Sequence, residues 1–260
     1  MSFRLARASR ATHKGLRYYQ EDRYFTSSME EGFCMGVFDG HGGEECAEAA
    51  VNLFPGMLAD AIGEPGITVP DALRQAFERL NEQTQDMSSG CTASIAVISP
   101  KADTAHVAVL GDSPIIIKRA DKSIWIAPDH NVRTNAAEAL DAQARGGVVF
   151  NGYLYAQNRF GDNAQGLQMA RALGDKFLGK VLLRTPEISS HPLGRGSFVL
   201  VCSDGALDPG HKNTDGAAQE VIKLIQKGKG VRAIVNHAVK APTGDNVTAL
   251  LVRVRDVRKT

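Results

Sequence analysis

The sequence has few of the features that mark membrane, secreted or nucleic-acid-binding proteins. No apolar run approaches the roughly 18 residues that a membrane span requires, and residues 1–7 lack the hydrophobic core of a signal peptide. The formal net charge is only +1, from 30 basic and 29 acidic residues, so it gives no electrostatic attraction to nucleic acid or to an anionic membrane. We therefore expect a cytoplasmic protein with neither partner.

Cysteine is also scarce. The four cysteines are far apart in the sequence and form no C-x-x-C pair, so neither a zinc site nor a disulfide framework is indicated. Cys34 and Cys202 lie in apolar, strand-like runs, which predicts buried free thiols. There is no internal repeat, no low-complexity linker and no coiled-coil heptad. A chain of 260 residues with 43% hydrophobic content is therefore predicted to form a single monomeric domain over residues 1–260.

Strand-like and helix-like segments occur in groups rather than in strict alternation. Helical periodicity or composition predicts four helices, over residues 44–51, 70–86, 214–227 and 231–240. Short β-prone runs between Pro, Gly or Asp turns predict strands over residues 33–38, 92–99, 105–110, 115–118, 123–127, 198–202 and 247–254. Strands that follow one another without intervening helices favour an antiparallel sheet. The pattern thus predicts an α+β layered sandwich rather than a doubly wound parallel sheet.

The most informative positive feature is a set of five short acidic motifs, in each of which Asp stands beside or near an apolar run and close to a small residue. They are Tyr19-Gln20-Glu21-Asp22, Val37-Phe38-Asp39-Gly40-His41-Gly42-Gly43, Val109-Leu110-Gly111-Asp112-Ser113, Leu200-Val201-Cys202-Ser203-Asp204-Gly205 and Gly244-Asp245-Asn246-Val247-Thr248. Several strand ends can deliver several carboxylates to one point. Clustered carboxylates need a counter-charge, and hard divalent cations are the usual one.

Eight motifs occur in the order in which they occur in a known family. They are Arg17-Tyr18-Tyr19-Gln20-Glu21-Asp22, Phe38-Asp39-Gly40-His41-Gly42-Gly43, Gly90-Cys91-Thr92-Ala93, Gly111-Asp112-Ser113, Asp129-His130, Arg171-Ala172-Leu173-Gly174-Asp175, Ser203-Asp204-Gly205 and Asp245-Asn246-Val247-Thr248. On these motifs the chain resembles the metal-dependent serine/threonine protein phosphatases of the type 2C (PPM) family. The resemblance implies a four-layer αββα sandwich, two antiparallel sheets flanked by helices, with metals at one edge between the sheets.

The expected cofactor is a pair of Mn²⁺ or Mg²⁺ ions. Two such ions can share a bridging water, lower its pKa and present it in line to a phosphate ester. Asp39 is the natural bridging ligand, and the absence of a side chain at Gly40 lets a backbone carbonyl approach a metal. Glu21 and Asp22 would hold metal-bound waters, as Mg²⁺ favours.

Further ligands follow from the resemblance alone. It implies that Asp204 and Asp245 complete the shell of one ion. It also implies that Asp112, together with Asp204, could hold a third and weaker ion.

Two residues are candidates for catalysis beyond the metals. Arg17 matches the family's phosphate-binding arginine, and its guanidinium offers a planar fork that fits phosphate oxygens. His41, two residues after Asp39, is placed to protonate the leaving serine or threonine alkoxide as general acid. His130 and Asp175 are interpreted as structural rather than metal-binding.

The chain departs from the family pattern at two positions, and it contains a segment that corresponds to the variable flap of the family. Pro114 replaces the usual arginine after Gly-Asp-Ser, and Cys91 replaces a usual Ser or Thr. Residues 131–168 correspond to the family's variable flap, and their Gly, Tyr and polar content suggests a mobile, substrate-selecting loop beside the active site.

The predicted function is hydrolysis of phosphoserine and phosphothreonine in phosphoprotein substrates by direct attack of a metal-bridging water. A cognate Ser/Thr kinase pathway and a role in signalling are the expected context. One alternative is a catalytically silent relative that serves as a binding or scaffold module, although a buried acid cluster without metal would repel itself. A metal-dependent phosphodiesterase or nuclease is a second alternative, which the absence of a basic stripe disfavours.

Overall fold

A computed structural model describes residues 3–5, 7–29, 32–99, 103–157, 165–207, 214–241 and 243–256. Its helices are α1 Glu45–Ile62, α2 Val69–Thr84, α3 Ala136–Ala144, α4 Thr214–Gln226 and α5 Val231–Lys240. Its strands are β1 Phe3–Leu5, β2 Ser9–His13, β3 Arg23–Met29, β4 Gly32–Phe38, β5 Gly40–His41, β6 Gly90–Cys91, β7 Ala93–Ser99, β8 Thr104–Leu110, β9 Ile115–Lys118, β10 Ile124–Ile126, β11 Gly147–Phe150, β12 Tyr153–Ala156, β13 Leu173–Gly174, β14 Glu187–Pro192, β15 Phe198–Cys202 and β16 Val247–Asp256.

Two antiparallel sheets form the centre of the molecule. The first sheet has the strand order β1-β16-β15-β9-β10, and β2 also pairs with β16. The second has the order β14-β8-β7-β4-β3. Every pairing within the two sheets is antiparallel. The antiparallel arrangement predicted from the grouped strands is therefore confirmed.

The two sheets face each other across a shared hydrophobic core. Met35 and Val37 of β4 meet Val199 and Val201 of β15 in this core. The alternate side chains of the same strands, such as Cys34 and Leu200, point to the outer faces, because successive residues of a strand face opposite ways. Both faces of each sheet are thus buried, which explains the nearly continuous apolar runs.

Helices cover the outer face of each sheet. Helices α1 and α2 pack on the second sheet, where the rings of Phe54 and Phe77 meet edge to face with centroids 5.1 Å apart. Helices α4 and α5 cover the first sheet in the same way, through residues such as Val221 and Ile234. Each large apolar side chain buried in this way contributes about 1.5–3 kcal/mol to folding. The order of layers is helix, sheet, sheet, helix, so the predicted αββα sandwich is confirmed.

Two smaller units extend from the sandwich near the ends of the strands. Strands β5, β6 and β13 form a short three-stranded sheet. Within the predicted flap, 131–168, helix α3 precedes the hairpin β11–β12, and both pack on a small apolar core that includes Ala142 and Leu154. The described part of the flap therefore has regular structure, and residues 158–164 lie outside the described residues.

The cysteine prediction is confirmed, and it extends further than expected. All four cysteines are buried and free. Cys91, which replaces the family's usual Ser or Thr, is fully buried. Its Sγ lies 3.5 Å from that of Cys46.

Candidate active site

The five acidic motifs converge at one end of the sandwich. Asp39 directly follows β4, and Asp112 lies two residues after β8, so both extend from the second sheet. Asp204 lies two residues after β15 and Asp245 two residues before β16, so both belong to the first sheet. A cavity of about 270 Å³ is lined by these four residues, among others. The prediction that separate strand ends deliver their carboxylates to one point therefore holds.

Other predicted site residues share the same cavity. Arg17, Gly40 and His41 line it, as do Thr92, the flap residues Tyr153, Gly166, Leu167 and Gln168, and Met169, which directly follows the flap. The flap thus forms one wall of the cavity, beside the acids.

Asp39 has the most strongly raised pKa among the acids of the site. Burial raises the pKa of its carboxyl well above the ordinary value, and the negative charges of Asp22, Asp204, Asp245 and Asp112 raise it further. Its Oδ2 accepts a hydrogen bond from Ser113 Oγ at 3.2 Å. One hydroxyl does not offset the charge of Asp39 and its four neighbouring carboxylates. A bound cation would therefore stabilise the cluster, because it would offset the negative charge.

Asp22 is not among the residues that line the cavity, and it is almost fully buried, with 4% of its surface exposed. Its Oδ2 accepts a hydrogen bond from Ser203 Oγ at 2.9 Å, whereas its Oδ1 has no hydrogen-bond donor among the described residues. Burial, with a smaller contribution from the charge of Asp245, raises the pKa of Asp22 from its ordinary value of 3.8 to about 6. A buried carboxylate oxygen without a donor is costly unless a cation or bound water faces it.

Asp112 has a similar character at the other side of the cavity. Burial, with a contribution from the charge of Asp129, raises its pKa to about 6, although a hydrogen bond from Asn131 Nδ2 to Oδ2 at 3.0 Å acts in the opposite direction. The donor set of the site thus consists of carboxylates, which suit hard divalent ions such as Mg²⁺ and Mn²⁺. The residues present fit a pair of such ions.

Glu21 links the first motif to the Gly-rich loop after β5. Its Oε1 accepts a hydrogen bond from Gly43 N at 2.8 Å. A Cβ at Gly40 would lie 2.6 Å from the backbone oxygen of Glu21. The sequence argument attributed this glycine to the approach of a metal; the structure adds a packing requirement against the segment that carries Glu21 and Asp22.

Arg17 is half exposed and faces the acids directly. Its Nη2 lies 2.8 Å from Asp245 Oδ2, and its Nη1 lies 3.9 Å from Glu21 Oε2. Its Nε also donates a hydrogen bond to the carbonyl of Gly244 at 3.0 Å. The only strongly basic side chain among the described residues that line the cavity is therefore held by two of the predicted metal-site acids.

His41 lies at the cavity wall with an acidic partner behind it. Its Nε2 is 2.7 Å from Oδ2 of the buried Asp175. Sequence reasoning interpreted Asp175 as structural and did not connect it to His41. The two residues are 134 positions apart, so no local spacing signals the contact.

Several polar residues of the site were missed as contributors from the sequence. Asn246 joins the first and last motifs, because its Nδ2 donates to the carbonyls of Lys14 and Tyr19 and its Oδ1 accepts from Glu21 N. Thr92 Oγ1 lies 2.7 Å from Ser113 Oγ, within hydrogen-bond distance. These residues stand inside the quoted motifs, and Asn246 and Ser113 stand directly beside an acid, which was the available signal.

A second acidic cluster, formed by His130, Glu138 and Glu187, lies outside the predicted ligand set. Their ligand atoms lie within 4.8 Å of one another. However, Arg171 Nη2 contacts Glu138 at 2.5 Å and Glu187 at 3.3 Å, which compensates the charge of both.

The position of His130 supports its structural interpretation. Burial, with a contribution from the charge of Arg171, lowers the pKa of His130. Its Nδ1 accepts a hydrogen bond from Gly111 N at 3.1 Å, so it satisfies the backbone beside Asp112 as the sequence suggested.

In the part of the chain that the structure describes, no helix is both long and apolar enough to cross a bilayer.

Comparison with known proteins gives one consistent family. The sequence model of the family "Protein phosphatase 2C" matches residues 2–247. A probable protein phosphatase 2C 59 of Arabidopsis thaliana is 30% identical over 254 residues, which cover 94% of this chain and 78% of that protein. A probable protein phosphatase 2C 69 of the same plant is 29% identical, and this chain spans 60% of its length.

Solved structures show the same fold. A serine-threonine phosphatase 2C from Toxoplasma gondii superposes with a TM-score of 0.74 at 20% identity, over 95% of this chain and 94% of that one. The catalytic domain of the serine threonine protein phosphatase PstP, solved with two manganese ions, gives a TM-score of 0.64 at 21% identity, over 98% of this chain and 100% of that one. The family match over most of the chain, together with the acid-lined cavity, leads to one conclusion: this chain belongs to the protein phosphatase 2C (PPM) family of metal-dependent serine/threonine protein phosphatases.

Proposed function

We propose that this chain hydrolyses phosphoserine and phosphothreonine in phosphoprotein substrates. The observation that carries the proposal is the convergence of Asp39 with four further aspartates, which raises the pKa of the Asp39 carboxyl well above its ordinary value. Such a cluster suits two Mn²⁺ or Mg²⁺ ions, with a third, weaker ion as the family resemblance implies. When bound, these ions supply a nucleophilic water and neutralise the charge of the substrate.

Each acid has a proposed role in holding the ions. Asp39 would hold both ions, since the carboxylates of Asp22, Asp112, Asp204 and Asp245 all act on its own carboxyl. The remaining residues that would hold the ions are Gly40 through its carbonyl, Asp204, Asp245 and Asp112, with Glu21 and Asp22 acting through bound water. Hydrogen bonds from Ser113 to Asp39 and from Ser203 to Asp22 support this assignment, because they orient the two carboxylates.

Arg17 is the proposed phosphate-binding residue. Its guanidinium lines the cavity and is half exposed, so a phosphate could reach it. A dianionic phosphate offers oxygens that match the guanidinium fork. Substrate binding would exchange the contact with Asp245 for a contact with phosphate.

His41 is the proposed general acid. It lines the same cavity as Asp39 and is partly exposed, so it can reach the oxygen of the leaving serine or threonine. Protonation of that oxygen avoids the release of a high-energy alkoxide. No covalent enzyme intermediate is needed.

We further propose that residues 1–260 act as one catalytic domain and that the segment 131–168 selects substrates. The flap residues Tyr153 and Gln168 border the cavity, which supports a contact with the peptide around the phosphorylated residue. A substrate phosphorylated by a Ser/Thr kinase would make the protein part of a signalling pathway. Exchange of the flap should change the ranking of phosphopeptides; an unchanged ranking would contradict this role.

The test measures phosphate release from an aryl phosphate and from a phosphothreonine peptide with Mn²⁺, with Mg²⁺ and after chelation. Asp39→Asn should lower the metal-dependent rate by about two orders of magnitude or more, because it removes the bridging charge. Asp121→Asn is the matched control, since Asp121 lies in the β9–β10 turn and hydrogen-bonds only locally, to Ser123.

The other outcomes identify the alternatives. No release from folded, metal-loaded wild-type protein would favour the silent binding module. Faster cleavage of a phosphodiester than of a monoester would favour the phosphodiesterase. Near-normal turnover by Asp39→Asn would contradict the two-ion assignment.

A further inference from the structure

The contact between His41 and Asp175 leaves one imidazole nitrogen for the cavity. Asp175 faces His41 Nε2 at 2.7 Å, and the Asp175 side chain is 3% exposed. His41 is 24% exposed and borders the cavity, whereas Asp175 does not. A carboxylate only accepts hydrogen bonds, so the nitrogen that faces it carries the proton. Nδ1 is then the nitrogen that is available to a substrate.

Three separate motifs build this contact. In the three-stranded sheet, Gly90 of β6 is the register partner of both His41 in β5 and Gly174 in β13. The chain thus places His41 and Asp175 on either side of Gly90. A Cβ at position 90 would overlap both Asp175 Oδ2 and His41 Nε2. Gly90 therefore provides the space in which the two side chains meet.

The backbone at Asp175 is held in an unfavourable conformation. Its φ is +49°, in the left-handed region, which is unfavourable for a residue other than glycine. Asp175 N donates to the carbonyl of Ser89 at 3.2 Å, and Arg184 Nη2 donates to the carbonyl of Gly174 at 2.9 Å. These bonds hold the turn that aims the carboxylate at His41.

We propose that Asp175 is a positioning residue for the reaction, one that acts through His41. Its carboxylate accepts the Nε2–H bond, which fixes the ring orientation and the tautomer and directs Nδ1 into the cavity. In the proton transfer, the Nδ1–H bond of the imidazolium breaks, and the proton forms an O–H bond with the departing alkoxide. The neutral imidazole keeps its Nε2–H bond to Asp175. This inference rests on the proposed function of His41 as general acid.

The tautomer can be observed without turnover. Long-range ¹H–¹⁵N spectra of the metal-free protein at alkaline pH should show His41 with the proton on Nε2. Asp175→Gly removes the carboxylate and tolerates a positive φ, so it should give a mixture of tautomers while circular dichroism stays unchanged. Arg184→Gln is the matched control, because it disturbs the same turn without touching His41. An unchanged His41 tautomer in Asp175→Gly would overturn the proposal.

The kinetic test is a double-mutant cycle in the metal-loaded full chain. Asp175→Gly should lower kcat for a phosphothreonine peptide by about 10- to 100-fold, with little change in KM. The loss on a nitrophenyl phosphate should be much smaller, since a phenolate leaves without a proton. In the His41→Gln background, Asp175→Gly should cause no further loss.

The cycle also separates this inference from the function on which it rests. Additive losses, or equal losses on both substrates, would show a merely structural role for Asp175 and overturn the proposal. If His41→Gln itself spares the phosphothreonine peptide, the general-acid assignment fails. In that case the spectra still decide whether Asp175 fixes the imidazole. Wild-type protein that is inactive with both substrates while the tautomer is fixed would contradict the proposed function instead.

Discussion

At the scale of single residues, the site stores unfavourable electrostatic energy. Asp22 is nearly buried, with one carboxylate oxygen that lacks a donor, and its pKa is raised to about 6. The raised pKa means that the folded protein binds this proton more tightly than the unfolded chain does. The metal-free protein therefore loses stability as the pH rises from about 3.8 to above 6.

The direction of this pH dependence gives a prediction for the variant Asp22→Asn. In the presence of a chelator at pH 7.5, the variant should be more stable than the wild type by about 1–3 kcal/mol, because it removes a buried charge. The difference should shrink towards zero below about pH 3, where the wild-type carboxyl is protonated in both the folded and the unfolded state. Urea unfolding at a series of pH values measures it.

Two controls make the result specific. Asp121→Asn, at an exposed turn, should give no such gain. Saturating Mn²⁺ should reverse the order of the wild type and Asp22→Asn, since the charge then faces a cation. A variant that is less stable than the wild type at every pH without metal would contradict the electrostatic account.

The sequence identified the acids of the site better than their partners. Asp39, Asp204 and Asp245 were predictable, because carboxylates beside apolar runs and small residues are an unusual pattern. The contacts of Asn246 and Asp175 were not predictable, because each depends on a residue more than 100 positions away in the sequence. Such long-range contacts leave no trace in local spacing.

At the scale of elements, helix α2 was predicted to within two residues at each end. Its buried positions recur at helical spacing, Pro70 lies in the first turn, and Thr68 caps the start. By contrast, β2 was missed because most of its side chains are only partly buried or exposed, so no apolar alternation marks it. Helix α3 and the hairpin β11–β12 were missed because Gly146 and Gly147 indicate a loop.

The cap of α2 gives a prediction at this scale. Thr68 Oγ1 accepts a hydrogen bond from Asp71 N at 3.3 Å. Thr68→Ala should lower the free energy of unfolding by about 1 kcal/mol, because a helix donor loses its partner. Thr68→Ser should retain most of the stability.

Turnover should be unchanged in both variants, since Thr68 is not among the residues that line the cavity. Thermal or urea unfolding, with a phosphatase assay alongside, distinguishes a local cap from a wider effect. Equal stability of Thr68→Ala and wild type would show that water satisfies the helix start equally well.

At the scale of the whole molecule, the site joins the two sheets. Asp39 and Asp112 extend from one sheet, and Asp204 and Asp245 from the other. The sandwich was predictable from the grouping of strands and from the family resemblance. The strand order was not predictable from periodicity, because alternation fixes which side chains face the core but not which strand is the neighbour.

The position of the site between the two sheets gives a prediction about how metal binding changes the stability of the fold. Mn²⁺ at about 100 times its dissociation constant should raise the free energy of unfolding by about 3 kcal/mol for each site. For one site this corresponds to a rise of about 5–10 °C in the midpoint temperature of thermal unfolding. Asp39→Asn should abolish most of this shift, whereas Asp121→Asn should preserve it. Differential scanning calorimetry with and without chelator measures the shift. A midpoint that does not depend on Mn²⁺ would contradict a metal site between the sheets.

The position of strand β16 in the sheet has a consequence for how the protein folds during its synthesis on the ribosome. It lies between β15 and the strands β1 and β2, and Thr248 pairs with Thr12, so its partners on one side are synthesised more than 200 residues earlier. The nascent chain must therefore keep β1 and β2 unpaired until almost all of residues 1–256 have emerged. Asp245 emerges just ahead of β16. Closure of the sheet and completion of the acidic centre are thus one late event, and a chain that has not finished folding has no competent site with which to act on phosphoproteins.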